Sequence, residues 1–221
     1  MTTATRAATT LKQDILDEFD FDPLIESNEI GVQVEDGIVT LTGIVDNLAK
    51  KWSAEQAAFR IEGVRAVAND LVVHTKAMHS DTDIAKAAAD ALEANTIVPP
   101  DSIDITVKNG KITLTGEVSW DYQRKAAAQS VRYLPSVRDV INQVQVKQPM
   151  VSAFDVKLGI ERALVRAAEL EADQIHVFTE DGRVRLTGTV RTWTERQAAA
   201  AAAWRSRGVT SVTNEIEIRS V

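Results

Sequence analysis

Apolar residues in this chain follow two periods that alternate in a fixed order. Leu11, Ile15 and Phe19 recur four apart, the spacing of one helix face. Ile30, Val32 and Val34 then alternate with other residues, and so do Val39, Leu41, Gly43 and Val45, the period-two signature of half-buried strands. Glu35-Asp36-Gly37 separates the two runs, and Asp-Gly tolerates the positive φ that a tight hairpin turn requires. A second helical stretch follows. Val67-x-Asn69-x-Leu71-x-Val73 then reads as a third strand.

The whole pattern occurs three times. Thr40-Leu41-Thr42-Gly43 returns as Thr113-Leu114-Thr115-Gly116 and as Arg185-Leu186-Thr187-Gly188, spaced by 73 and then 72 residues. The hairpin glycine repeats as Gly37, Gly110 and Gly182, and the strand asparagine as Asn69, Asn142 and Asn214. A period this long indicates tandem domains, because solenoid repeats run about 20–50 residues. Each unit reads α-β-β-α-β, with boundaries at 8–76, 80–148 and 152–221. The predicted fold class is α+β: three tandem units, each a three-stranded mixed sheet with two helices on one face. Strands two and three flank a helix, so they run parallel through a right-handed crossover. Gly43, Gly116 and Gly188 fall in the inward register, where a helix or another backbone passes close. The asparagines stand on an apolar stripe, so each needs hydrogen-bond partners, which loop or helix-end backbone supplies. Gly63 and Gly208 end the second helix of units one and three; Pro135-Ser136 does so in unit two.

Units of about 70 residues bury only roughly 60% of their unfolded surface, so each is marginal and leans on its neighbours. The joints, 74–80 and 147–151, are short. Residues 1–9 are Thr/Ala-rich and expected to fray.

Composition removes several functions. There is no cysteine, hence no disulfide, thiol nucleophile or thiolate metal site. The net charge is −7, and residues 1–76 carry 7 Lys/Arg against 13 Asp/Glu, a balance that argues against nucleic acid as partner. No run approaches the ~20 apolar residues of a transmembrane helix, and the N-terminus lacks the apolar core of a secretory signal. The chain therefore reads as cytoplasmic, with the periplasm as the alternative if a leader was removed. The acidic tract from Asp14 to Asp22 lacks the ordered oxygen ligands and turn glycine of a calcium loop. His74 and His79 lie in a joint and His176 on an outward strand position, so no metal site is expected. No phosphate-binding glycine loop, nucleophile motif or pair of carboxylates stands out, and the expectation is a non-enzyme without cofactor.

An α-β-β-α-β unit with Asp/Asn-Gly, then Leu-Thr-Gly, then Gly-Val-x-x-Val-x-Asn-x-hydrophobic resembles the BON (bacterial OsmY and nodulation) domain. The closing motif is Gly63-Val64, Val67, Asn69, Leu71 in unit one and Gly208-Val209, Val212, Asn214, Ile216 in unit three; Ser136 replaces the glycine in unit two. The resemblance implies a bacterial, non-enzymatic module tied to osmotic and envelope stress that binds phospholipid or associates with membranes. Cytosolic relatives linked to potassium binding keep an ion sensor as an alternative, and a protein-interaction scaffold is another.

Candidate lipid contacts cluster at the start of each second helix, where an aromatic ring and cations suit a membrane interface. They are Lys51 and Trp52 in unit one; Trp120, Arg124 and Lys125 in unit two; and Arg191, Trp193 and Arg196, with Trp204 and Arg205, in unit three. A cation stands eight residues after the motif glycine each time: Lys51, Arg124, Arg196. The bland alternative is that each tryptophan staples its helix to its own core. The expected partner is anionic phospholipid or a membrane-associated protein.

Overall fold

The structure, a computed structural model, describes residues 8–75, 79–149, 151–166 and 174–219. Lys76, Ala77 and Met78 of the first joint, Met150 of the second, and residues 1–7 of the stretch expected to fray lie outside these residues.

Unit one comprises α1 (Ala8–Phe21), β1 (Ile30–Glu35), β2 (Ile38–Val45), α2 (Leu48–Arg60) and β3 (Ala66–Val73). Unit two comprises α3 (Asp81–Glu93), β4 (Ile103–Lys108), β5 (Lys111–Val118), α4 (Asp121–Arg132), β6 (Asp139–Asn142) and β7 (Gln145–Val146). Unit three comprises α5 (Ala153–Arg166), β8 (Ile175–Glu180), β9 (Arg183–Val190), α6 (Trp193–Trp204) and β10 (Ser211–Ile218). In every unit the hairpin is antiparallel and the strand after the second helix runs parallel to the central strand. The hairpin strand and the closing strand are therefore the two edges. Unit two departs from the expected closing strand, which lapses at Gln143–Val144 and leaves β6 and β7. The ladder still carries across, because the amides of Gln143 and Lys147 donate to the carbonyls of Leu114 (2.8 Å) and Val118 (2.9 Å). The break is one of strand geometry, not of topology.

The helices cover one face of each sheet. Leu11, Ile15 and Phe19 are fully buried against Val39, Leu41 and Leu71, and Ile84 and Val156 repeat the role of Leu11. Alanines 199, 202 and 203 keep α6 close to its sheet. The closing glycine of each motif lies opposite the first residue of the hairpin strand: Ile30, Ile103 or Ile175. A Cβ there would collide with the carbonyl of Glu29, Ser102 or Gln174, and all three glycines have φ between 126° and 134°. The neighbour that demands glycine is thus strand-entry backbone, not a helix. In unit two Ser136 adopts φ 65°, the same left-handed region as Gly63 and Gly208. Its hydroxyl accepts from the His79 amide (3.2 Å), fastening the first joint to the turn.

Candidate functional site

The three asparagines form one clasp, repeated. Asn69, Asn142 and Asn214 each donate through Nδ2 to a carbonyl in the first turns of the second helix, that of Lys51 (3.1 Å), Arg124 (2.7 Å) or Arg196 (2.9 Å). Each Oδ1 accepts from the amide two residues on, in Leu71, Val144 or Ile216. One side chain thereby ties helix to closing strand and satisfies both ends of its amide.

Two of the repeated cations answer that clasp from the other side. Lys51 Nζ donates to the Leu71 carbonyl at 2.7 Å, and Arg196 Nη2 to the Asn214 carbonyl at 2.7 Å. Burial pulls the Arg196 guanidinium below its ordinary range, and its Nε is buried without a hydrogen-bond partner. Arg124 differs: it binds the buried carboxylate of Asp121, which Lys125 also reaches at 2.8 Å. The cations at this position are turned toward protein in all three units.

Three of the four tryptophans, Trp52, Trp193 and Trp204, meet a neighbouring unit. Arg132 of α4 lies over the Trp52 ring of α2, 4.7 Å from its centroid. Trp204 of α6 receives Arg124 of α4 at 4.7 Å. Trp193 of α6 stacks on Phe59 of α2, centroids 3.9 Å apart and planes 11° apart, and the Arg196 guanidinium lies over the Trp193 ring, 4.8 Å from its centroid. The start of α2 touches the end of α4, the start of α4 the end of α6, and the start of α6 the end of α2. The three second helices form a closed head-to-tail ring. The buried cores of units one and two are continuous, unit three has its own, and Trp193 and Trp204 pack against both. The own-core alternative holds in part for Trp193 and Trp204, which pack against unit three's core; what it does not anticipate is that Trp52, Trp193 and Trp204 also serve the junctions between units. Phe59 and Arg132 were not among the candidates. The signal for them is a shared offset, since Phe59, Arg132 and Trp204 all stand sixteen residues after their motif glycine.

Of the candidate residues, Trp52, Lys125, Arg191 and Arg205 stay exposed. At the start of α4, the half-buried Trp120 stacks with Tyr122, centroids 6.4 Å apart; Tyr122 is 57% exposed, Lys125 is exposed three residues beyond it, and Arg205 is exposed next to Trp204, which Arg124 of α4 meets. Arg191 is exposed at the start of α6, its amide bonded to Glu195. At the junction of units one and two, a cleft of about 370 Å³ is lined by Leu24, Lys50, Arg132 and Tyr133 among others. Lys50 is held charged there, its pKa raised chiefly by its hydrogen bond to Glu26 (2.5 Å). Among the described residues no group of three or more His, Asp or Glu side chains is placed to hold a metal ion, and no helix is long and apolar enough to cross a membrane.

Comparison with known proteins gives the frame. Osmotically-inducible protein Y of Escherichia coli (strain K12) is 28% identical over 129 residues, 56% of this chain; the chain spans 64% of that relative's length. Among solved structures, CdsD, a structural protein of the type III secretion system of Chlamydia trachomatis, is 16% identical with a TM-score of 0.28, covering 96% of this chain and 93% of that one. The periplasmic domain of PrgH is 11% identical with a TM-score of 0.22, covering 92% of this chain and 99% of that one. Scores this low carry neither arrangement nor function across. The BON domain profile matches residues 7–75, 80–148 and 155–220, the same three repeats that carry the clasp and the strained glycine, and the chain belongs to the BON domain family.

Proposed function

We propose that this protein is a non-enzymatic, stress-associated binding protein that engages anionic phospholipid at the membrane surface through the corners of its helix ring. The observation behind this reading is the stacked Trp120–Tyr122 pair, with Tyr122 and Lys125 exposed at the start of α4, and the exposed Arg205 at the end of α6, which α4 meets through Arg124 on Trp204. A half-exposed ring such as that of Tyr122 suits headgroup depth, and each cation near an anionic surface contributes on the order of 1 kcal/mol. The osmotic induction named in its Escherichia coli relative supports the stress association. The reading moves the contact away from Lys51 and Arg196, whose charges serve the clasp.

Co-sedimentation with phosphatidylglycerol-containing and with purely phosphatidylcholine vesicles, across a salt series, tests it. Salt-sensitive binding to the anionic vesicles alone is expected, weakened several-fold in a Tyr122→Ser, Lys125→Gln, Arg205→Gln variant. Binding to neither vesicle overturns the reading in favour of a protein partner or an ion. A melt in K⁺ against Na⁺ at matched ionic strength separates those two.

A further inference from the structure

The helix-free faces of the three sheets differ, and the repeat supplies the reference for what a solvated face looks like. Outward residues of β2 and β3 in unit one include Ile38, Ile44 and Val72, which are 48%, 62% and 59% exposed. At the same positions unit two carries Lys111, Glu117 and Gln145, and unit three carries Arg183, Thr189 and Glu217. Ile44 and Val72 are paired neighbours across the β2–β3 ladder, and Ile38 pairs with Ala66 at the other end. Between them run Thr40, Thr42 and Ala68, so the middle of the face is low and its ends are high. The charges on this face are Glu35 and Asp70, both acidic, in a unit with an excess of Asp and Glu. One fold carries this face three times; unit two shows a single exposed apolar side chain on its closing strand, Ile141, and unit three shows Phe178, covered by Arg185, whereas the three positions above make an apolar strip with an acidic rim only in unit one. A large exposed apolar patch with a polar rim marks an interaction site.

We infer that the open sheet face of unit one binds a helix of a partner protein, apolar on one side and flanked by lysine or arginine. The dimensions fit. Ile38 to Ile44 spans roughly 20 Å of strand, the length of about 13 helical residues. The outer strands of three lie about 10 Å apart, which is the width of one helix. A second copy of this chain is a poor occupant. The face offers about 200 Å² per protomer from those strand dimensions, far less than the ~800 Å² per partner of a stable interface, and two acidic rims would meet. An anionic bilayer is disfavoured by the same rim. The small area makes the partner a transient one.

The test uses the full chain and a fluorescent 18-residue amphipathic Leu/Lys helix as probe, read by anisotropy at fixed ionic strength. The variant Ile44→Thr, Val72→Gln carries the residues that units three and two hold at these positions on the same fold, and leaves the net charge unchanged. Its melt, compared with the parent, verifies folding. At least tenfold weaker probe binding by the folded variant is expected. Equal binding, or no binding by the parent chain, overturns the inference. So does a concentration-dependent dimer lost in the variant, which assigns the face to a second copy, or lost sedimentation with anionic vesicles, which assigns it to the membrane.

Discussion

Gly188 is the motif residue with the least freedom. Its φ of 127° lies where a side chain is strained, and a Cβ would press on the Gln174 carbonyl, which is backbone and cannot swing away. Gly188→Ala is expected to destabilise the protein by about 1–3 kcal/mol, seen as a lower urea midpoint; an unchanged midpoint would show that the strand entry yields. Asn214 is fixed for a different reason. Its amide both donates to the Arg196 carbonyl and accepts from the Ile216 amide. Asn214→Ala leaves two backbone groups without this partner and is expected to cost about 1–3 kcal/mol. Asn214→Asp keeps the acceptor and loses the donor, so it should fail to restore the parent's midpoint. Full rescue by aspartate would mean that the helix-to-strand bond contributes little.

The elements were legible in the sequence because their causes are local: Leu11, Ile15 and Phe19 disclose a helix face by spacing alone, and Asp181-Gly182 discloses a turn by the φ it permits. The start of α3 is the same kind of feature. Ser80 Oγ accepts from the Asp83 amide (3.2 Å), while the Asp83 carboxylate accepts from the Ser80 amide (3.3 Å) and hydroxyl (2.6 Å). These bonds to Ser80 hold the Asp83 pKa below its ordinary value. Its folded value being depressed, the carboxylate's contribution is complete above the unfolded value, about 3.9, and fades as pH falls through the folded one. Ser80→Ala should move the Asp83 midpoint up toward the ordinary value in an NMR carboxyl titration. A midpoint that stays low would place its cause elsewhere. The candidate site was less legible. The offset that repeats Lys51, Arg124 and Arg196 is visible in sequence, but an exposed cation and one folded back onto a strand carbonyl have the same letter. Only the path of the closing strand distinguishes them.

The ring of α2, α4 and α6 was not legible at all, because comparing units in register conceals contacts made between different positions of different units. Trp52, Arg124 and Trp193 stand nine, eight and five residues after their glycines, and their partners Arg132, Trp204 and Phe59 share one offset but no chemistry. Head-to-tail contacts of this kind either continue into an open array or close on themselves. Here three short-tethered units close, and the contact that closes them joins the two units farthest apart in sequence. Each unit is small, so stability lost at one junction should be felt by all three. The Phe59–Trp193 stack is the place to test this, since no joint holds unit one to unit three directly. Phe59→Ala and Trp193→Ala should each lower the melting temperature, and the double variant should lose less than the two together. A coupling of about 0.5–1.5 kcal/mol is expected for a stacked aromatic pair. If the ring is one cooperative body, near-UV circular dichroism, which reports the tryptophans, and far-UV signal, which reports the helices, should share one transition in the parent. In the double variant they should separate, as unit three loses its hold on unit one. Additive losses with a single shared transition would instead mean that unit three is secured through unit two alone, by Trp204 on Arg124, and that the ring is closed in shape but not in energy.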